Sequence, residues 1–184
     1  MVKFCLILGF FFVSCETIKY KKLDDGISKI PVDKFFFHKN YRNKYEIALL
    51  KMIDINSVYI ESFYLDPKDK FFNSQKGFNS FINGLKFYGN GCVSNFVINK
   101  DSLFNLPKLD PLKRGSRGIS FIKQKDTVIE IIVPIDETYN LGKKQYYLKV
   151  HADTLFLEDK QTSLRYIYLK HKLHGENTKF KADW

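Results

Sequence analysis

The residues of this chain that could perform nucleophilic or acid–base chemistry are few and far apart. His151 and Asp153 are two apart in a segment predicted to be extended, so they would share a face and the carboxylate could orient the imidazole. No identifiable Ser nucleophile accompanies them, which favours a surface pair. Cys92 could act as a nucleophile if a His approached it, but its phase with Phe96 and Ile98 favours packing as a small apolar side chain.

His171 and His174 are the remaining candidates for metal ligands. Three residues apart, they would align on a helix, but on a strand followed by Gly175 they point to opposite faces. Nothing nearby supplies a Cys or a carboxylate cluster that would complete a site. We therefore predict no metal site, no cofactor and no catalytic residues, with a hydrolase that uses His151 or Cys92 as the alternative.

The stretch "KRGSRG", residues 113–118, combines three cations, two glycines and a serine that could cradle a phosphate. It lacks the frame of a P-loop and the strand that would precede one. We expect a basic loop there, with docking onto lipid phosphate or an acidic partner as the alternative.

The N-terminus has the pattern of an export signal. Lys3 gives a short positive region, and Phe4 to Val13 form an apolar run of ten residues. A helix of that length covers about 15 Å, half of the ~30 Å hydrocarbon core of a bilayer, so it is too short to span. It suits the apolar region of a signal peptide.

The residues that follow identify the kind of signal. Phe12-Val13-Ser14-Cys15 resembles a bacterial lipobox, in which the peptide bond before Cys is cut and the cysteine receives acyl chains. The resemblance implies a signal peptide over residues 1–14 and a lipid anchor at Cys15 in the bacterial cell envelope, at the outer membrane. The alternatives are a plain secretory signal and a retained anchor helix. Several acyl chains would hold the protein durably, because each buried CH₂ contributes about 0.8 kcal/mol.

Composition narrows the partners of the processed chain. Removing residues 1–14 takes one of 30 basic residues and none of 20 acidic ones, which leaves a formal charge of +9 over 170 residues, enough for one domain. Cys5 leaves with the signal and Cys15 carries lipid, so Cys92 has no partner for an intramolecular disulfide. Only four basic residues are Arg, which argues against nucleic-acid binding and favours anionic lipid headgroups as a target.

The segment before the predicted domain is polar and irregular. Residues 15–42 are interpreted as the lipid anchor and tether, because 16–34 contain charges, a Gly and a Pro without a sustained period. A first edge strand within 16–34 is the alternative. Apolar residues at helical spacing allow a short helix over 43–52.

From Asn56 onward the pattern is that of β-strands. Segments rich in β-branched and aromatic residues alternate with short reversals, among them a hairpin whose type I′ turn is predicted at Asn90-Gly91. In the run Ile129, Ile131 and Val133, Glu130 falls out of phase with the apolar residues, as expected of a half-buried strand, which is buried on one face only. We predict a mainly β domain over 43–172, an antiparallel meander or barrel of about seven or eight strands, and a polar tail over 173–184.

The order of these strands is similar to that of small lipocalin-like lipoproteins of Gram-negative envelopes. The matching positions are Phe87 and Gly91, Asp126 to Glu130, Asp153 to Leu157, and Tyr166 to Lys170, within a stretch of residues 85–172. The resemblance implies a lipocalin-like barrel more than any activity.

Eighteen Phe and eleven Tyr leave two interpretations of the interior open. They could line a cavity for an apolar ligand, or fill a solid core and pair across strands. We expect a membrane-anchored, non-enzymatic envelope lipoprotein with a binding or assembly role, whose partners are the membrane, anionic headgroups or an envelope protein. The alternative is a carrier of a small hydrophobic ligand.

Overall fold

The fold was analysed in a computed structural model, which describes residues 20–26, 28–32, 52–65, 80–123, 125–134, 141–182 and 184. Ten strands are present in that part of the chain. They are β1 (Tyr20–Lys22), β2 (Lys29–Pro31), β3 (Ser57–Leu65), β4 (Phe81–Phe87), β5 (Cys92–Asn99), β6 (Ser116–Lys123), β7 (Asp126–Pro134), β8 (Leu141–His151), β9 (Thr154–Asp159) and β10 (Arg165–Lys172). Short 3₁₀ turns occupy Lys100–Ser102 and Gly175–Thr178.

Strands β3 to β10 form a closed barrel. Each strand pairs antiparallel with its neighbours in the chain, and β10 closes the circle by pairing with β3. This confirms the predicted mainly β fold and the barrel. No helix in the described residues is long and apolar enough to cross a membrane.

A separate hairpin of β1 and β2 lies against the barrel beside β6 and β7. Ile30 is fully buried, and the backbone N–H of Gly115 donates to the Ser28 hydroxyl at 2.7 Å. Strands therefore do occur in the segment interpreted as a tether, although they pair with each other and not with a strand of the barrel. The predicted helix over 43–52 lies, except for Met52, outside the described residues.

We call the end of the barrel where β3 finishes at Leu65 the upper end, and the end where β3 begins at Ser57 the lower end. Apolar side chains fill the interior toward the lower end, because alternate residues of each strand point inward. These buried residues are Ile53, Tyr59, Leu85, Phe87, Val93, Ile129, Ile131, Leu148, Leu155, Leu157 and Tyr168.

Much of the barrel's outer face is buried as well. The loop after β5 covers β3, β4 and β5 through Leu109, and the C-terminal segment covers β5, β6 and β7 through Trp184. The Trp184 indole N–H donates to the Gly118 carbonyl at 2.9 Å. The segment predicted as a polar tail thus packs on the barrel.

Two local predictions were wrong. The β4–β5 turn is not type I′: Gly91 has a φ of 86°, Asn90 does not have a positive φ, and Gly91 N–H donates to the Tyr88 carbonyl at 3.0 Å. This is the three-residue hairpin in which a Gly forms a bulge. Glu130 is buried on the outer face, where the Gln145 side-chain amide donates to it at 2.7 Å and Lys143 lies 3.5 Å away.

Candidate ligand site at the upper end of the barrel

A polar cluster occupies the interior toward the upper end. We call it the tyrosine–carboxylate cluster; its members are Glu61, Tyr64, Asn83, Lys144, Tyr146, Asp159, Tyr166 and Tyr168. Their positions follow from the register, because directly paired residues on antiparallel strands share a face. Tyr168 pairs with Glu61 and Tyr146 pairs with Asp159.

An irregularity in β3 brings two of these side chains together. Glu61 and Tyr64 are three apart and would point to opposite faces of a regular strand. The register between β3 and β10 shifts at Tyr168, where Ser62 is the extra residue. A bulge of this kind restores the phase, so that Glu61 and Tyr64 both face inward.

Tyr166 lies between two other tyrosines of the cluster. Its ring centroid is 6.2 Å from that of Tyr64 and 6.1 Å from that of Tyr146, the second pair meeting edge to face at 81°. Such arrangements are favourable because the positive ring edge meets the negative face. All three rings are half-buried. Burial raises the pKa of Tyr146 and of Tyr166, so both remain neutral hydrogen-bonding groups.

Glu61 is the carboxylate of the cluster whose pKa is raised. The Asn83 side-chain amide donates to it at 2.6 Å, and the Tyr168 hydroxyl is also hydrogen-bonded to it. Burial raises the pKa of Glu61 because desolvation disfavours the charged form, and these hydrogen bonds offset only part of that cost. Burial also raises the pKa of Tyr168 well above its ordinary value, and the Glu61 charge adds to this effect.

The pKa of Asp159 is shifted in the opposite direction, below its ordinary value. Burial alone would raise its pKa, but the N–H groups of Gln161 and Thr162 and the Lys144 ammonium at 3.2 Å outweigh burial and lower it. Asp159 is therefore a fixed negative charge beside the tyrosines.

The cluster contains two carboxylates and one ammonium group, surrounded by tyrosine rings. This arrangement can accept hydrogen bonds from a ligand and stabilise a positive charge, since aromatic faces and carboxylates both attract cations. Small ligands commonly bind in the mouths of barrels, where a few polar groups are set among apolar ones. Residues 66–79 and 135–140, which join strands at this end, lie outside the described residues.

A concave surface runs along the outer face of β8, β9 and β10. It is a groove of about 950 Å³. Tyr147, Phe156 and Ile167 lie along it, and Tyr147 and Phe156 are exposed. Arg165 donates to Glu158 at 2.9 Å in the same groove.

The structure does not place His151 and Asp153 together on a strand. β8 ends at His151, Ala152 has a positive φ of 49°, and Asp153 lies in the turn. The Asp153 carboxylate forms an ion pair with Lys170. The prediction that both residues lie on one extended strand was therefore wrong.

Cys92 is buried in the apolar cluster on the outer face, and its thiol lies 3.6 Å from the Trp184 carbonyl oxygen. This confirms its packing as a small apolar side chain. Cys15 lies outside the described residues, so its lipidation stays a prediction.

The basic stretch 113–118 is only partly a loop. Ser116, Arg117 and Gly118 belong to β6, and Arg114 donates to the Val97 carbonyl at 2.9 Å. Arg117 stacks on Trp184, with its guanidinium carbon 4.9 Å from the ring centroid. The three cations therefore do not form one cradle.

His171 lies on β10 and His174 lies beyond the end of that strand. Within the described residues, no group of three or more His, Cys, Asp and Glu side chains is arranged to hold a metal ion.

The sequence did not indicate the tyrosine–carboxylate cluster. Its members come from five strands, and all of them except the pair Glu61 and Tyr64, which the bulge in β3 brings to one face, follow the alternation expected of ordinary core positions. One sequence feature could have indicated it. Tyr146, Tyr166 and Tyr168 are in phase with the inward residues of their strands, and the charged Lys144 occupies an inward position of β8 as well.

Comparisons of the chain with protein-family models, curated proteins and solved structures found no match.

Proposed function

We propose that this protein is an envelope lipoprotein, anchored through acyl chains on Cys15, that acts by binding a small ligand at the tyrosine–carboxylate cluster. The barrel fold is compatible with a binding role of the lipocalin kind. The anchoring part rests on the sequence of residues 12–15 and on the likeness to Gram-negative envelope lipoproteins.

The anchor can be tested with two cysteine variants. Cys15→Ser should abolish incorporation of a labelled fatty acid and release the protein from the membrane fraction. Cys92→Ser is the matched control and should keep both label and membrane association, because the Cys92 thiol is buried. Equal labelling of wild type and Cys15→Ser would refute the anchor.

One observation carries the binding proposal: a polar, tyrosine-lined cluster lies toward the upper end of an interior whose lower part is mainly apolar. Buried polar groups are costly unless they are paired, so their concentration at one end suits recognition better than stability. The raised pKa of Glu61 marks a desolvated carboxylate. A small ligand that carries an amine and an apolar or aromatic body would supply the counter-charge.

Benzylamine is a suitable probe, with benzyl alcohol as its neutral counterpart. We expect benzylamine to shift the NMR resonances of Tyr146 and Tyr166, and Glu61→Gln to weaken its binding. Glu158→Gln is the matched control, since Glu158 lies on the outer face of the same barrel. Equal binding to wild type and Glu61→Gln, or equal binding of the alcohol, would contradict the proposal.

The groove outside β8, β9 and β10 favours a second candidate, the binding of a hydrophobic ligand. A ligand in this groove would lie outside the barrel, unlike the ligand of a carrier that encloses it. Packed side chains occupy the apolar part of the barrel interior. The fluorescent probe N-phenyl-1-naphthylamine should bind the wild type and lose affinity for Phe156→Ser. Unchanged affinity would eliminate the groove as the site.

A further inference from the structure

Lys86 is a lysine buried on the outside of the barrel. Its neighbours Leu85 and Phe87 point inward, so Lys86 points outward from β4 between Val58 of β3 and Ser94 of β5. Only 1% of its surface is exposed, because the segments before β3 and after β10 cover it. Lysines are almost never buried to this degree unless they are paired.

The Lys86 ammonium donates a hydrogen bond to the Ile55 carbonyl at 3.1 Å. It also lies 5.2 Å from the centroid of the Tyr88 ring, within the range of a cation–π contact. An ammonium group has three donors, so these contacts leave donor capacity for a further acceptor.

Lys86 lines a pocket of about 590 Å³ near the lower end of the barrel. The aromatic residues Tyr88, Phe87 and Phe180 also line it, and Lys179 and Lys181 lie at its exposed rim. The pocket therefore has aromatic walls, a buried cation and two further cations near its entrance.

None of the described residues that line this pocket is a carboxylate. The negative charge of Asp54 attracts the Lys86 ammonium through space and raises its pKa. The Asp54 carboxylate itself accepts hydrogen bonds from Asn56 and from Ser57. Burial dominates over this attraction and lowers the pKa of Lys86 to about 8, so the side chain is still mostly charged at neutral pH.

We propose that this pocket is a binding site for a small organic carboxylate, whose charged group contacts the Lys86 ammonium and whose apolar or aromatic body packs against Tyr88 and Phe180. A buried cation gains most from an anion that enters its own desolvated environment. The site differs from the tyrosine–carboxylate cluster in its position, outside the barrel, and in the sign of its charge.

The proposal can be tested with benzoate as the probe. Acetate lacks the aromatic body and benzyl alcohol lacks the charge. Comparing these two compounds with benzoate therefore separates the contribution of the aromatic ring from that of the carboxylate. Binding would be followed by NMR of protein labelled at the lysine Cε carbon, which also reports the titration of Lys86. The variants are Lys86→Met and, as the matched control, Lys149→Met at an exposed outward position of β8.

We expect benzoate to perturb Lys86 and Tyr88, to raise the pKa of Lys86, and to bind more tightly than acetate or benzyl alcohol. Lys86→Met should weaken benzoate binding by roughly tenfold or more, as expected for loss of a charge-assisted contact. Lys149→Met should bind as the wild type does. Equal affinity of benzoate for wild type and Lys86→Met, equal affinity of benzyl alcohol and benzoate, or no perturbation of Lys86 would overturn the proposal.

Discussion

Replacing Lys86 by methionine is expected to stabilise the free protein, because the substitution removes a charge from a buried site. The pKa of Lys86 falls from 10.5 to about 8 on folding. At about 1.36 kcal/mol for each pKa unit, the buried charge costs about 3 kcal/mol at neutral pH. Lys86→Met removes this cost, but it also removes the hydrogen bond to Ile55, which destabilises the protein by about 1 kcal/mol. The net stabilisation is therefore about 2 kcal/mol.

The pH dependence of this effect has a definite sign. Because the folded-state pKa is the lower one, the unfolded chain binds more protons between pH 8 and 10.5, and the stability of the wild type rises with pH across that window. The advantage of Lys86→Met should therefore be constant below pH 8 and should shrink as the pH approaches 10.5.

Urea denaturation followed by the fluorescence of Trp184, the only tryptophan, measures the difference at each pH. Other groups titrate equally in both proteins, so the difference between them isolates Lys86. Lys149→Met should differ from the wild type by less than about 0.5 kcal/mol. A Lys86→Met advantage that is absent at pH 7, or that is the same at pH 7 and 10.5, would refute the reasoning.

Three further predictions use the same denaturation assay. Gly118→Ala should lose about 1–3 kcal/mol, because a Cβ there would lie 2.6 Å from the Glu130 carbonyl oxygen; Gly89→Ala, where the nearest atom is 4.0 Å away, should lose much less. Leu155→Ala should lose about 2–5 kcal/mol, since the side chain is fully buried in the barrel. Glu61→Gln should stabilise the protein at pH 7, because burial disfavours the charged form of Glu61. This stabilisation should disappear as the pH falls through the raised pKa of Glu61 toward 4.5, because Glu61 in the folded wild type is then protonated and neutral. An unchanged gain at low pH would contradict the desolvation of Glu61.

The barrel strands were predictable because alternation and β-branched composition are local signals. The segment "SVYIESFYL" corresponds to β3, Ser57–Leu65, and the alternation of Ile129, Ile131 and Val133 reports the inward face of β7. Alternation and β-branched composition both depend only on residues that are adjacent in the sequence.

The outer face was not predictable in the same way. Alternation places Glu130 and Lys86 outside the barrel, and both do point outward, yet both are buried. Their burial depends on segments distant in sequence, such as the one that ends at Trp184, which cover the outer face. The candidate site depends on the bulge at Ser62, and no Gly or Pro marks that position in the sequence.

Pairing of β3 with β10 has a consequence for how the chain is made. Ser57 pairs with Lys172, so the seam of the barrel can form only when nearly all of the described sequence has been synthesised. Contacts between such distant residues form slowly, and until they do, β3 and the most recently completed strand expose unpaired backbone groups to other chains. A cell that produces this protein therefore needs to keep the chain from aggregating between its synthesis and the joining of its first and last barrel strands.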